Sequence, residues 1–160
     1  MADRTPRYLE ESPLLMKKLI DLGRALDESS LDHRLRDLVN VRASQLNGCT
    51  FCLDMHVKEA KIHGERELRL YHVAAWREST LFSAQERAAL EWTEAVTELA
   101  GHGIADDVFQ RVRAVLSDRE LSDLTIAIGI INVFNRLNVA MPRPPGALDQ
   151  MFGLTKAGLS

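Results

Sequence analysis

The sequence predicts a single domain made only of α-helices, and three observations carry this prediction. Apolar residues recur at helical spacing through most of the 160-residue chain. Two capping boxes of the form Ser-x-x-Glu begin at Ser83 and Ser117, each in front of a long apolar pattern. The Asn47-Gly48 pair lies between two helical segments rather than between alternating strands, so it is typical of a helix end. We therefore expect about six or seven helices.

The first half of the chain predicts four of these helices. Pro13 suits the first turn of a helix, and Asp32 favours the N-cap of the next one. Asn47-Gly48 and Gly64 favour the ends of the second and third helices, because glycine readily adopts the left-handed conformation found there. The predicted ranges are about 13–26, 33–46, 49–63 and 67–77.

The second half predicts three further helices. The capping boxes start the first and the last of them, and Asp106 or Asp107 favours the N-cap of the helix between. Pro142, Pro144 and Pro145 end the last helix, because proline lacks the N–H that a helix interior needs. That last helix is apolar nearly all round, so it has no free face for water and is expected to be buried, either within the domain or at the centre of a homo-oligomer. The predicted ranges are about 84–100, 107–116 and 118–139.

The composition suits one globular domain and excludes several functional classes. Hydrophobic residues make up 46% of the chain and charged residues 27%, and the formal net charge is −3. A general nucleic-acid binder usually has a basic surplus, which this chain lacks. The sequence also has no polybasic membrane patch, no apolar run of transmembrane length and no secretory signal pattern at its start. We therefore expect one cytoplasmic domain over 1–160, with a core at about 10–145, a loosely held tail at 146–160, and no nucleic-acid or membrane partner.

The chemistry is predicted to lie in the short segment that holds both cysteines. Cys49 and Cys52 form a Cys-x-x-Cys pair at the start of a helix, and His56 follows one turn later on the same face. A helix N-terminus favours a thiolate because its free N–H groups carry partial positive charge, and an imidazole accepts the thiol proton. Such sites lower the thiol pKa from about 8.5 to roughly 3.5–7.5. The spacing also lets the sulfurs close a small disulfide, so one cysteine can attack and the other resolve.

The two cysteines differ in their predicted surroundings. Cys52 lies one turn into the helix, beside His56, where its thiol can be activated. Cys49 lies at the very start of the helix and further from the imidazole. We therefore expect Cys49 to be the more exposed sulfur and the one that exchanges with an external dithiol.

Two other interpretations of the cysteine pair stay open. Cys49, Cys52 and His56 could be zinc ligands, with His63, His72 or a carboxylate as the fourth. Structural zinc sites usually bring a second close pair of ligands, and the sequence shows none. Alternatively, the two cysteines could be inert residues packed in the core.

Asp37 is the acidic candidate for this site. If the second and third helices form an antiparallel hairpin about Gly48, Asp37 comes within about one turn of His56. A carboxylate that faces an imidazole orients the ring and raises its basicity. The alternative is that Asp37 is a solvated helix residue beside its arginine neighbours.

The cysteine segment resembles a known family. The stretch 42–56, together with Leu38-Val39, is similar to the core of the alkylhydroperoxidase AhpD-like branch of the carboxymuconolactone decarboxylase superfamily. Later stretches also resemble that branch, at 75–79, 81–83, 86–90 and 131–136. The resemblance covers roughly residues 10–145. It implies an all-helical AhpD-like fold, homo-oligomers that are often trimers or hexamers, and thiol-dependent reduction of hydroperoxides.

The resemblance also implies a role for each site residue. Cys52 matches the cysteine that attacks the peroxide, Cys49 the resolving cysteine, and His56 the histidine of the proton relay. The relay glutamate falls at Asp37, whose side chain is one methylene shorter. Phe51 stands where well-studied AhpD enzymes carry a second histidine. The implied electron donor is an external dithiol, which in the family can be a lipoyl group on a carrier protein, and no cofactor or metal is required.

We therefore predict a thiol-dependent peroxidase of the alkyl hydroperoxide reductase type. A metal-binding or redox-sensing protein would use the same Cys49, Cys52 and His56 cluster with little turnover. A decarboxylase or lactonase would use His56 and Asp37 as acid and base, although the lactone decarboxylases of the superfamily lack the Cys-x-x-Cys pair. A peroxide assay, metal analysis and thiol titration separate the three classes.

Overall fold

The computed structural model describes residues 7–99, 101 and 103–159, and this part of the chain contains helices and no strands. The α-helices are α1 Tyr8–Glu11, α2 Pro13–Ala25, α3 His33–Leu46, α4 Thr50–Ile62, α5 Glu67–His72, α6 Ala84–Glu98, α7 Asp106–Arg113, α8 Asp118–Ala140 and α9 Asp149–Phe152. Short 3-10 helices cover Leu26–Glu28, Val73–Ala75 and Leu154–Ala157. The all-α prediction is confirmed: α2 to α8 correspond to the predicted helices, and two four-residue helices lie near the ends.

Local capping explains where the main helices begin. Both predicted capping boxes are present: Ser83 accepts the N–H of Glu86 at the start of α6, and Ser117 accepts the N–H of Glu120 at the start of α8. The Asp32 side chain caps α3 by accepting the N–H of Arg34 at 2.8 Å. These bonds satisfy helix N–H groups that have no partner within the helix.

Helix α3 lies at the centre of the fold and packs against α4, α6 and α8. The larger core cluster joins α3, α6, α7 and α8 through fully buried residues such as Val39, Ala89, Val112 and Ile128. A second cluster joins α3 and α4 to the segment around Trp76. Since α3 and α4 are consecutive and antiparallel about Gly48, this packing holds the cysteine segment against the middle of the molecule.

The C-terminal tail is packed, so the prediction of a loosely held tail is wrong. The final 3-10 helix contacts α4, and its Leu154 and Ala157 are buried. The buried ammonium of Lys58 donates to Asp54 at 2.9 Å and to Asp149 at 2.7 Å, which links α4 to α9. Asp54 also accepts the backbone N–H of Gly146 at 2.9 Å. A buried lysine paired with two carboxylates forms a firm anchor, because separating them would leave an unpaired charge.

Helix α8 has one face in the core and another on the surface. Leu124, Ile128 and Ile131 are buried, whereas Ile126 and Val133 are 46% and 44% exposed. The outward face is thus apolar in its middle. No helix in the described ranges is both long and apolar enough to span a membrane.

Candidate active site

The cysteine pair begins helix α4, as the sequence predicts. Gly48 adopts a positive φ of 65°, which turns the chain between α3 and α4. Cys49 is the N-cap residue, and its Sγ accepts the backbone N–H of Cys52 at 3.2 Å. The two cysteines form a disulfide, so the structure shows the pair in its oxidised state. Both sulfurs therefore lie at the positive end of the helix, where a thiolate is favoured once the bond is reduced.

The expected difference in exposure between the two cysteines is wrong. Cys49 is 2% exposed and Cys52 is 1% exposed. Phe51 and, from the tail, Leu148 pack with the pair and exclude solvent. Only Cys52 lines the adjoining cavity. A molecule in the cavity therefore meets Cys52 and not Cys49.

His56 lies on the face of α4 that the spacing predicts, but its carboxylate partner is not Asp37. The Nδ1 atom of His56 lies 2.7 Å from Oε2 of Glu59, one turn further along the same helix. The carboxylate of Asp37 contacts Nδ1 of His63 at 2.7 Å instead. The expectation that Asp37 contacts His56 is therefore wrong. The register of the α3–α4 hairpin brings Asp37 level with the C-terminal end of α4.

Glu59 and His63 are thus site residues that the sequence reasoning missed. The signal for Glu59 was present, because a carboxylate three residues after a histidine on a helix shares its face. His63 occupies the C-cap position of α4, where a histidine is common without any functional role. All four groups, His56, Glu59, Asp37 and His63, line the same cavity.

The two carboxylates of this cluster have pKa values shifted in opposite directions. Burial raises the pKa of Asp37 above its usual value, and the hydrogen bond from His63 offsets this only in part. Burial also raises the pKa of Glu59, but the hydrogen bond and charge of His56 outweigh it, so the pKa of Glu59 falls below its usual value. Glu59 is therefore the carboxylate held in its charged form beside His56.

A second chain of polar groups reaches the sulfur of Cys52 from the opposite side. The Nδ2 atom of Asn138, on α8, donates to Cys52 Sγ at 3.7 Å and to the carbonyl of Phe134 at 2.9 Å. The hydroxyl of Tyr8 donates to the other amide atom of Asn138 at 2.8 Å, which fixes the orientation of the amide. Asn138 thus presents an N–H to the sulfur atom and would stabilise its thiolate. Nothing in the sequence indicates this contact, because it joins residues 86 positions apart.

The cavity beside Cys52 has a volume of about 490 Å³, within the roughly 300–1,000 Å³ typical of small-molecule pockets. Its walls come from α1 to α4, α8 and the tail. Apolar side chains form much of the lining, including Met16, Ile20, Met55, Ile130 and Phe134. The site therefore combines a largely apolar cavity with a sulfur atom and a set of titratable groups.

The fold does not gather the ligands that the zinc interpretation requires. His63 contacts Asp37, and His72 contacts the hydroxyl of Ser79 at 3.0 Å. Within the part of the chain that the structure describes, no group of three or more His, Cys, Asp or Glu side chains could hold a metal ion.

Comparison with known proteins assigns the chain to a family. Residues 13–95 match the model of the carboxymuconolactone decarboxylase family. The chain is 38% identical over 134 residues to the uncharacterized protein YdfG of Bacillus subtilis (strain 168), covering 84% of this chain and 91% of that protein.

Solved structures give the same placement. A protein of unknown function from Agrobacterium tumefaciens, described as a candidate antioxidant defence protein AhpD, superposes with a TM-score of 0.83 at 41% identity, covering 88% of this chain and 96% of that one. The debrominase Bmp8 shares the fold, with a TM-score of 0.78 at 19% identity and coverage of 93% and 80%. The chain therefore belongs to the carboxymuconolactone decarboxylase family, in its AhpD-like branch.

Proposed function

We propose that this protein is a thiol-dependent peroxidase that reduces organic hydroperoxides through Cys52 and Cys49. One observation carries the proposal: Cys52 lines a largely apolar cavity, is bonded to Cys49, and lies one helical turn before the His56–Glu59 pair. A thiol that meets a small molecule on one side and a second thiol on the other suits a two-cysteine redox cycle.

In the reduced protein, His56 accepts the proton of the Cys52 thiol. Since a carboxylate only accepts hydrogen bonds, Glu59 holds the proton of His56 on Nδ1 and leaves Nε2 as the basic nitrogen. The end of α4 and the amide of Asn138 stabilise the thiolate that forms. These contacts act on Cys52, which is the sulfur that the cavity reaches.

The thiolate of Cys52 then attacks the distal oxygen of a hydroperoxide. The O–O bond breaks, the alkoxide leaves with the proton held on His56, and Cys52 becomes a sulfenic acid. The thiol of Cys49 attacks that sulfur, water leaves, and the disulfide seen in the structure forms. The two thiols together supply the two electrons that the peroxide takes up.

An external dithiol must return the disulfide to two thiols. A lipoyl group on a carrier protein is the donor we propose, together with a homo-oligomeric assembly, on the strength of the AhpD-like relationship. The burial of both sulfurs favours a slender, flexible dithiol arm over a folded protein surface.

The proposal is tested by intact mass and single-turnover kinetics on the reduced protein. One equivalent of cumene hydroperoxide should remove two hydrogens and consume both thiols. Cys52→Ser should abolish the reaction, since a serine hydroxyl is not ionised near neutral pH. Cys49→Ser should still consume one equivalent and stop as a sulfenic acid that a trapping reagent labels.

Three results would contradict the proposal. Thiols that stay reduced after peroxide addition would leave the disulfide without a catalytic role. A burst from Cys52→Ser but none from Cys49→Ser would reverse the roles of the two sulfurs. A disulfide that forms in one turnover but is never reduced by dithiols would identify a sensor rather than an enzyme.

A further inference from the structure

The charged groups that line the cavity are almost all paired with one another. Three carboxylates line it, and each contacts a cationic or titratable partner. Asp27 accepts from Arg36 at 2.7 Å, and the other two pairs are Asp37 with His63 and Glu59 with His56. Each carboxylate that lines the cavity therefore has a partner within the protein.

Arg143 pairs with none of these three carboxylates. It lines the cavity, and among the described residues it forms no ion pair with a carboxylate. Its Nε atom is buried with no hydrogen-bond partner. Its guanidinium carbon lies 5.7 Å from the centroid of the Phe51 ring. Arg24 also lines the cavity, but its side chain is 77% exposed, so water solvates its charge.

The Nε–H is closed to solvent, so a ligand would meet the terminal N–H groups of the guanidinium, and a bound anion would supply the partner that this cation lacks. The planar fork of arginine matches the two oxygens of a carboxylate. Contact with the face of an aromatic ring holds the guanidinium in place. Pro142 and Pro144 flank Arg143 and restrict the backbone that carries it. The side chain is thus positioned in advance for a ligand.

We propose that Arg143 binds a carboxylate, so that the substrate is an amphipathic organic hydroperoxide with an apolar body and a carboxylate group. Arg143 would be the specificity-determining residue of the site. The apolar lining holds the body of such a molecule, and the guanidinium and Cys52 line the same cavity. This inference rests on the proposed peroxidase function, and it adds the chemical class of the substrate.

The kinetic test compares two hydroperoxides that differ only in charge: a hydroperoxide of decanoic acid and its methyl ester. The wild-type protein should prefer the acid by at least about tenfold in kcat/KM, mostly through KM. Arg143→Met should remove this preference. Arg143→Lys, which keeps the charge but loses the fork, should retain part of it. Lys156→Met removes the same charge from an exposed site on the same tail, and it should keep the full preference.

A binding test keeps the inference separate from the reaction. Octanoate and octan-1-ol are titrated by calorimetry into the oxidised protein, which cannot turn over. Octanoate should bind the wild type and Lys156→Met, and bind Arg143→Met at least about tenfold more weakly. Circular dichroism checks that each variant is folded, and Arg143→Lys replaces Arg143→Met if the latter unfolds.

The outcomes distinguish the two proposals. If octanoate binds through Arg143 but neither hydroperoxide is reduced, the peroxidase function fails and the carboxylate site stands. If both hydroperoxides are reduced equally, or Arg143→Met keeps the preference for the acid, the carboxylate site is wrong and the peroxidase stands.

Discussion

His56 and Glu59 lie one turn apart on α4, with Nδ1 and Oε2 separated by 2.7 Å, and this contact takes the place of the one expected between His56 and Asp37. The histidine and its orienting carboxylate therefore belong to the same rigid helix as the cysteines. A shift of α3 relative to α4 would not disturb the pair. Asp37 is left with a different partner, His63, at the far end of the cluster.

The first prediction concerns which carboxylate supports the base. Glu59→Gln keeps the shape of the side chain but removes its charge, so His56 becomes a weaker base. The rate of Cys52 oxidation should fall, by about 10²-fold up to 10⁴-fold if general-base assistance is largely lost. Asp37→Asn is the matched control and should cost much less, because Asp37 makes no direct contact with His56. Stopped-flow measurement of thiol oxidation decides between them, and a larger loss in Asp37→Asn would contradict the assignment.

The second prediction uses the opposite pKa shifts of the same two carboxylates. The pKa of Glu59 is lowered in the folded state, so its ionised form contributes stability above the usual glutamate pKa of about 4.3, and this is lost as the pH falls through the folded pKa. The pKa of Asp37 is raised, so its contribution is present below the usual aspartate pKa of about 3.9 and is lost as the pH rises through the folded pKa.

Urea unfolding of the wild type and both variants, at several pH values in the acid range, tests these signs. Relative to Glu59→Gln, the wild type should lose stability as the pH falls. Relative to Asp37→Asn, it should lose stability as the pH rises above the usual aspartate pKa. If the stability difference changes with pH in the same direction in both comparisons, the pKa values of the two carboxylates are not shifted in opposite directions.

The third prediction concerns the amide that faces Cys52. Asn138→Leu has nearly the same size but cannot donate to the sulfur, so the thiol pKa of Cys52 should rise. One hydrogen bond to a charged group is worth about 1.5–3 kcal/mol, which corresponds to a rise of roughly one to two pH units. Ultraviolet titration of the thiolate in a Cys49→Ser background, where one thiol remains, measures it. An unchanged pKa would mean that the 3.7 Å contact between Asn138 Nδ2 and Cys52 Sγ does not stabilise the thiolate.

The fourth prediction concerns assembly through the outward face of α8. Ile126 and Val133 lie on this face about two helical turns apart, with Gly129 between them. Both side chains are nearly half exposed. If this face joins subunits, Ile126→Glu with Val133→Glu should shift the protein to a monomer, since burying unpaired charge is costly. Val115→Glu is the control, because Val115 is 44% exposed but lies outside α8. Sedimentation velocity at micromolar concentration reads the result, and an unchanged assembly would exclude this face.

The helices and their caps could be predicted from sequence because their causes are local. Ser83 and Ser117 act on residues three positions away, and the Cys49–Cys52–His56 spacing lies within about two helical turns. The identity of the reactive segment follows from the same local rule. Glu59 obeys it too and could have been found by the same reasoning.

The contacts that the sequence did not reveal are those between distant segments. Asp37 finds His63 rather than His56 because of the register of two packed helices, which depends on the whole core. Lys58 pairs with Asp149 across 91 positions, and Asn138 reaches Cys52 across 86. Residue type and spacing carry no information about such pairs. The packing of Leu148 against the cysteine cluster has the same origin.

The anchored tail has a consequence for the two halves of a redox cycle. Cys52 lines the cavity with the tail in place, whereas Cys49 does not line it and is only 2% exposed. We infer that reduction of the disulfide depends on local unfolding of the segment that Lys58 holds, an event with its own opening equilibrium. Oxidation would then proceed from the closed state and reduction from the open one. The contacts that hold the tail, including the Lys58–Asp149 ion pair and the buried Leu154 and Ala157, would then set how long the protein stays oxidised.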